Sequence, residues 1–296
     1  MAYDPTIYLG AASFYARGRP PYSAELVATL EREVGLARGG RLLDVGCGPG
    51  VLTVELAPHV DEAVGLDPDA EMLAEGARRA GEAGVANVAW VQALAEDLPR
   101  LELGSFSLVT FGQSFQWMDR ERVAEAVYDV LEPGRSMVAL APTVAGRPVP
   151  PNPGYPPIPH EAIEQLVDSY LGSRRRAGQG FRSPPPDRYE DALARTRFGE
   201  ASIVFAPGRP DIVRDTDSVV AGYFSLSWSA PTSSAPAGSS SNATSAPSSE
   251  PTPRPASSGT GPATPNWQSP PSPADATSFI SHVARGWHGG GTPRGW

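Results

Sequence analysis

The residues best suited to chemistry lie together in Leu42-Leu43-Asp44-Val45-Gly46-Cys47-Gly48-Pro49-Gly50. Three glycines on alternate positions let a backbone turn tightly and approach a ligand with no side chain between. Asp44 stands two residues before the first glycine, and Asp67 closes the next apolar run. In nucleotide-binding α/β sheets an acid at that second place takes ribose hydroxyls, so the spacing suits an adenosine-containing ligand. The glycine pattern is Gly-x-Gly-x-Gly, not the Gly-x-Gly-x-x-Gly of dinucleotide sites. A carboxylate at Asp44 repels a pyrophosphate but complements a cation. The amino-acid end of the sulfonium nucleoside S-adenosylmethionine (SAM) is such a cation.

The elements that must hold these residues follow from apolar periodicity. Arg41–Val45, Ala63–Leu66, Val88–Val91, Phe106–Phe111 and Met137–Leu140 read as strands. Gly50–Ala57, Asp69–Ala83 and Arg120–Leu131 read as the helices between them, with Asp69 as an N-cap. Strands separated by helices of this length imply right-handed crossovers and a parallel sheet. The glycine elbow then sits where the first strand meets its helix, at the crevice of an open sheet. Ala24–Val34, Glu161–Leu171 and Asp217–Phe224 read as further helices and Ser202–Phe205 as a sixth strand.

Composition narrows the function. The 296 residues carry 33 acids and 24 basic residues, and every basic residue is arginine. Schiff-base lysines and a P-loop lysine are therefore excluded. A net charge of −9 disfavours nucleic acid and anionic membrane as partners. One cysteine, Cys47, allows no internal disulfide and no thiolate zinc cluster, and the four histidines are scattered, so no metal is expected. Met1–Gly10 does not read as a signal peptide and no apolar run is long enough to span a bilayer; the expectation is a soluble, cytoplasmic protein. From Ser229 to Trp296 the text is dominated by Ser, Pro, Ala, Gly and Thr, with a short apolar patch at Phe279–Val283. Such a segment cannot offset its chain entropy, which predicts a disordered tail over 229–296 behind a folded domain over 1–228.

The motifs resemble those of the class I SAM-dependent methyltransferases, in the broad type 11 group, over about residues 8–228. Asp44–Gly50 resembles the family's first motif. Val64-Gly65-Leu66-Asp67-Pro68-Asp69-Ala70-Glu71-Met72-Leu73 resembles the ribose-side block, and Ala95-Glu96-Asp97-Leu98-Pro99 the adenine-side block. Ser114-Phe115-Gln116-Trp117-Met118-Asp119 resembles the segment after strand four, and Tyr15–Tyr22 the N-terminal segment that folds over the cofactor. The resemblance implies a Rossmann-like, mostly parallel sheet with helices on both faces. It implies SAM as cofactor, held by Asp44, Gly46, Gly48, Gly50, Asp67, Pro68, Met72, Ala95, Glu96, Gln113, Tyr15 and Arg17. It implies methyl transfer to a small-molecule acceptor that enters between Gln113–Trp117, the N-terminal segment and the insertion over Tyr155–Tyr170. No catalytic residue is singled out, and the oligomeric state is left open.

The sequence departs from the family at three places. Leu94 stands where an acid is common before Ala95, and Gln116 where a histidine is common. The family's sheet ends in an antiparallel hairpin whose last strand inserts beside strand five, and nothing in 229–296 reads as that strand. A sheet without its seventh strand is therefore expected, with two consequences: a tail of the kind a GC-rich gene read out of frame would give, and, as the rival function, a SAM-binding or inactive remnant.

Overall fold

Neighbouring residues of the first strand enter different cores. Leu42 packs in one apolar cluster, Leu43 and Val45 in another, as a two-residue period demands when both faces of a sheet are covered. Ala63 divides in the same way from Val64 and Leu66, and Val138 and Leu140 from Met137 and Ala139. The computed structural model of the chain describes residues 4, 7–36, 39–143, 158–172, 176–178, 180–181, 187–206, 212–229 and 278–285.

Along the chain run α1 (Ala12–Gly18), α2 (Ala24–Val34), β1 (Arg41–Val45), α3 (Val51–Leu56), β2 (Glu62–Asp67), α4 (Ala70–Glu82) and β3 (Val88–Gln92). Then come β4 (Phe106–Gly112), α5 (Arg120–Val130), β5 (Leu131–Thr143), α6 (His160–Leu171) and a minor ribbon of β6 (Arg176–Ala177) with β7 (Gly180–Phe181). The last described elements are α7 (Tyr189–Ala194), β8 (Ser202–Ala206), α8 (Thr216–Phe224) and β9 (Ser278–Arg285). Side-chain caps fix where several helices begin: Ser23 accepts from Leu26 N, Asp69 from Glu71 N and Met72 N, and Asp215 from Ser218 N.

The seven-stranded sheet has the order β3-β2-β1-β4-β5-β9-β8, with β1 to β5 parallel. Chain direction across the sheet reverses between β1 and β4, which opens a crevice at the carboxyl ends of those two strands. The expected Rossmann-like architecture is present. Among the described residues no helix is long and apolar enough to cross a membrane.

The expected gap in the sheet is not there. β9 lies between β5 and β8, antiparallel to both, with Ser136 opposite Arg285 and Ser202 opposite Val283. Val283 is buried in the cluster that holds Leu42, and Ala284 in the one that holds Leu43, so both faces of β9 are used. Composition averaged over 229–296 hides eight residues of strand. A central strand also needs little apolar character of its own, because two neighbours satisfy its backbone. The out-of-frame origin and the inactive remnant both rested on the vacant position and lose that ground. Residues 230–277 and 286–296 lie outside the described residues, as does the Pro-rich stretch 144–157.

Candidate functional site

The elbow after β1 is built on left-handed glycines. Gly46, Gly48 and Gly50 have φ of 65°, 54° and 67°, a region that costs residues with a Cβ. Gly46 N and Cys47 N both donate to Leu66 O, at 2.7 and 3.0 Å, which binds the turn to the end of β2. At Gly48 an added Cβ would meet nothing within 4 Å, so the requirement there is conformational and the backbone stays open toward the crevice. At Gly50 the requirement is also steric: a Cβ would stand 2.5 Å from Trp90 Cη2.

Asp67 ends β2 and is 8% exposed. Its Oδ2 accepts from Gly48 N at 2.8 Å and its Oδ1 from Asp69 N at 2.9 Å. Burial pushes its pKa up to about 6, while those two donors pull it back. A carboxylate has about four lone-pair sites, so accepting capacity remains for a vicinal diol.

The crevice is lined by Tyr15, Gly46, Gly48, Asp67, Pro68, Met72, Ala95, Glu96 and Gln113, nine of the twelve residues implied by the resemblance. It is also lined by Tyr8, Asp69, Leu94, Ser114, Trp117 and Met118. Tyr8 lies edge-on to both Tyr15 and Trp117, with ring centroids 6.3 and 6.1 Å apart. Glu96 is partly committed, since its Oε1 accepts from Asp119 N at 3.0 Å. Gln113 is a non-glycine residue at φ 62°. Its carbonyl accepts from Gln116 Nε2 at 2.6 Å, and Gln116 Oε1 accepts from the Tyr189 hydroxyl at 2.5 Å.

Three implied residues are elsewhere. Asp44 is fully buried behind the elbow, where Oδ2 accepts from Thr53 Oγ1 at 2.6 Å and Oδ1 from Thr110 Oγ1 at 2.9 Å. It joins β1 to α3 and β4 instead of facing the crevice, and burial pushes its pKa up to about 6. Gly50 is the first-turn cap of α3 packed on Trp90. Arg17 points away, to Asp217 at 3.5 Å. Asp44 therefore does not reach the crevice lining. Cys47 is buried, and desolvation with the charges of Asp67 and Asp44 holds its thiol far above the ordinary thiol range, which disqualifies it as a nucleophile.

Of the lining that the resemblance did not assign, Trp117 and Met118 belong to the segment after strand four that had been picked out. Leu94 marks the place of the missing acid. Tyr8 carried no signal beyond its being aromatic. Among the described residues no group of three or more His, Cys, Asp or Glu side chains could hold a metal ion.

The site fits SAM in the chemistry of its groups. The carboxylate of Asp67 can accept from a diol, Met72, Leu94 and Ala95 offer an apolar slot, and the open backbone at Gly46 and Gly48 lets a ligand approach without a Cβ in the way. Comparison with known proteins agrees. A family described as "Methyltransferase domain" matches residues 42–134. An uncharacterized methyltransferase of Mycobacterium tuberculosis is 35% identical over 132 residues, 44% of this chain and 50% of that protein. A probable S-adenosylmethionine-dependent methyltransferase of Saccharomyces cerevisiae is 28% identical over 123 residues, 40% of this chain and 41% of that one. A ubiquinone biosynthesis O-methyltransferase of Acinetobacter baumannii is 31% identical over 105 residues, 35% and 44% of the two chains. The match spans half or less of each of these relatives. Residues 42–134 thus match a methyltransferase domain, and the elbow and the sheet order are those that the resemblance to the class I SAM-dependent methyltransferases implies.

Proposed function

We propose that the chain transfers a methyl group from SAM to a small-molecule acceptor. The observation that carries this reading is the shared wall of Gly48 and Asp67, joined at 2.8 Å at the mouth of the crevice. Bound SAM supplies a methyl carbon whose bond to a cationic sulfur breaks as the acceptor's lone pair attacks in line, leaving a neutral thioether. The protein's part is to orient and to exclude water. Asp67 takes the ribose hydroxyls, Met72, Leu94 and Ala95 receive the adenine, and Tyr8 and Tyr15 close over the crevice from the N-terminal side. Gln113 and Trp117 face the acceptor. No residue of the crevice is needed as a base if the acceptor is already a good nucleophile.

The test is calorimetry of the full chain with SAM, with NADH as competitor, followed by transfer of tritium from methyl-labelled SAM across a panel of small acceptors. Saturable SAM binding that NADH does not displace, with label entering a small molecule, is the expected result. Absence of SAM binding, or preference for NADH, overturns the reading.

A further inference from the structure

Gln113 follows directly on β4, lines the crevice, and holds a φ of 62° although it carries a Cβ. Among the described residues Glu102 is the one other non-glycine residue in that region. The left-handed conformation is costly for such a residue. It persists where the surroundings over-determine it, and such places cluster at functional sites. Around Gln113 the N–H donates to Phe111 O at 3.0 Å and to Leu140 O at 3.2 Å. Its side chain is hydrogen-bonded to the buried Tyr22 hydroxyl. Its carbonyl accepts from Gln116 Nε2 at 2.6 Å.

The last of these tethers is set from outside the crevice. A carbonyl can only accept, so the Gln116 amide has one orientation there, and its Oε1 is left for a donor. That donor is Tyr189, 73 positions further along the chain and the first residue of α7, whose hydroxyl lies 2.5 Å away. Burial pushes the Tyr189 pKa up to about 12, so the hydroxyl keeps the proton it donates. Packing fixes the ring. It stands edge-on to Phe115, with centroids 5.3 Å apart, and 5.9 Å from the Arg120 guanidinium. Arg120 is buried and binds the residue two places before Tyr189: Nη2 lies 2.6 Å from Asp187 Oδ1 and Nη1 donates to Asp187 O at 3.0 Å. Arg195 pairs with the same carboxylate. Neither Gln116 nor Tyr189 lines the crevice. We propose that Tyr189 is a positioning residue for the crevice: through Gln116, its hydroxyl holds Gln113 in the left-handed conformation that shapes the wall. That the wall serves SAM and its acceptor rests on the methyltransferase reading.

The experiment uses the full chain as wild type, Tyr189→Phe, Gln116→Met, these two combined, and Gln113→Gly with and without Tyr189→Phe. Nuclear magnetic resonance of the ligand-free protein follows the amide of Gln113, and calorimetry measures SAM affinity. Tyr189→Phe is expected to displace the Gln113 amide resonance while those of β1 to β3 stay in place. It should weaken SAM binding about threefold to tenfold, because affinity falls with the fraction of chains whose wall is correctly set. Gln116→Met should act in the same way, and the combined variant no more strongly than Gln116→Met alone, since the hydroxyl acts through that amide. Glycine takes a positive φ freely, so beside Gln113→Gly the effect of Tyr189→Phe on SAM affinity should shrink to less than about twofold. A role confined to stabilising α7 would not show that dependence. An unmoved Gln113 amide in both single variants, or an undiminished loss of affinity beside Gln113→Gly, overturns the proposal. SAM binding that neither single variant weakens removes the positioning role and leaves the methyltransferase reading. A wild type that binds no SAM, with a Gln113 amide that still moves in both variants, keeps the positioning role and removes that reading.

Discussion

Gly48 N donates to Asp67 Oδ2 at 2.8 Å. The middle glycine of the elbow and the acid at the end of β2 thus form one unit, and Asp69 N on the other carboxylate oxygen extends it to the cap of α4. Both oxygens of the Asp67 carboxylate are thus held by backbone donors, while its burial pushes its pKa up to about 6.

That shift sets opposite signs for binding and stability. A diol donates more strongly to the ionised form of Asp67, whose pKa is about 6, so SAM affinity should fall between about pH 7.5 and about pH 5. Calorimetry at the two values checks this, and constant affinity sinks the role given to Asp67. For folding, Asp67 and Asp44 both titrate at about 6 in the folded chain against 3.8 as the ordinary value. The folded state therefore binds protons first as pH falls through 6, and stability should rise down to the ordinary carboxylate range. Below that range Glu62, Glu75, Asp187 and Asp215, whose pKa values are lowered chiefly by hydrogen bonds to arginines or, for Asp215, to Ser218, take up protons only at the expense of the fold. Stability should then decline. Urea unfolding across this span should show a maximum on the acid side of pH 6.

Asp67→Ala and Asp44→Asn should separate ligand contact from support. The first removes a charged acceptor from the crevice and should weaken SAM binding by about tenfold to a hundredfold. The second leaves the crevice lining alone and should show mainly in unfolding. Thr53→Val and Thr110→Val, each stripping one donor from buried Asp44, should cost about 1–3 kcal/mol of stability. If Asp44→Asn matches Asp67→Ala in lost affinity, the supporting role is wrong.

Gly50 and Trp90 should be coupled. Gly50→Ala places a Cβ 2.5 Å from the indole and at φ 67°, so a cost of about 2–3 kcal/mol is expected from overpacking and strain together. Trp90→Leu should make room and recover the overpacking share, leaving about 1 kcal/mol of backbone strain. A double-mutant cycle with no coupling would show that the ring does not fill that space.

Ala284→Asp tests β9. The residue is fully buried in the main core, and an unpaired carboxylate there should cost about 3–5 kcal/mol or prevent folding. A chain ending near Trp228 should fail in the same way, because β5 and β8 would both lose a ladder partner. A folded, SAM-binding product from either variant contradicts the sheet order.

The sequence was legible where side chains speak for themselves. Strands separated by helices pointed to the parallel sheet, and the glycine elbow with Asp67 marked the crevice. Asp44 was misplaced because its charge suggests a ligand, while its role depends on Thr53 and Thr110, hydroxyls that are ordinary in any sequence. Gly50 looked like part of a binding loop, yet its reason lies on β3 in Trp90. Tyr8 meets Trp117, and Gln116 meets Tyr189, through tertiary packing that no local pattern encodes. β9 was missed for the converse reason: what makes it a strand is the pair of edges that receive it.

The register of β9 pairs Ser136 with Arg285. These partners are about half the chain apart, so closing that ladder carries a large loop-entropy cost before any pairing rewards it. While the chain is being made, the segments of β5 and β8 lack their shared ladder partner until residue 285 has been synthesised. The nascent protein is therefore most exposed to mispairing with other chains during that interval, and its yield should depend on how fast its final segment is delivered.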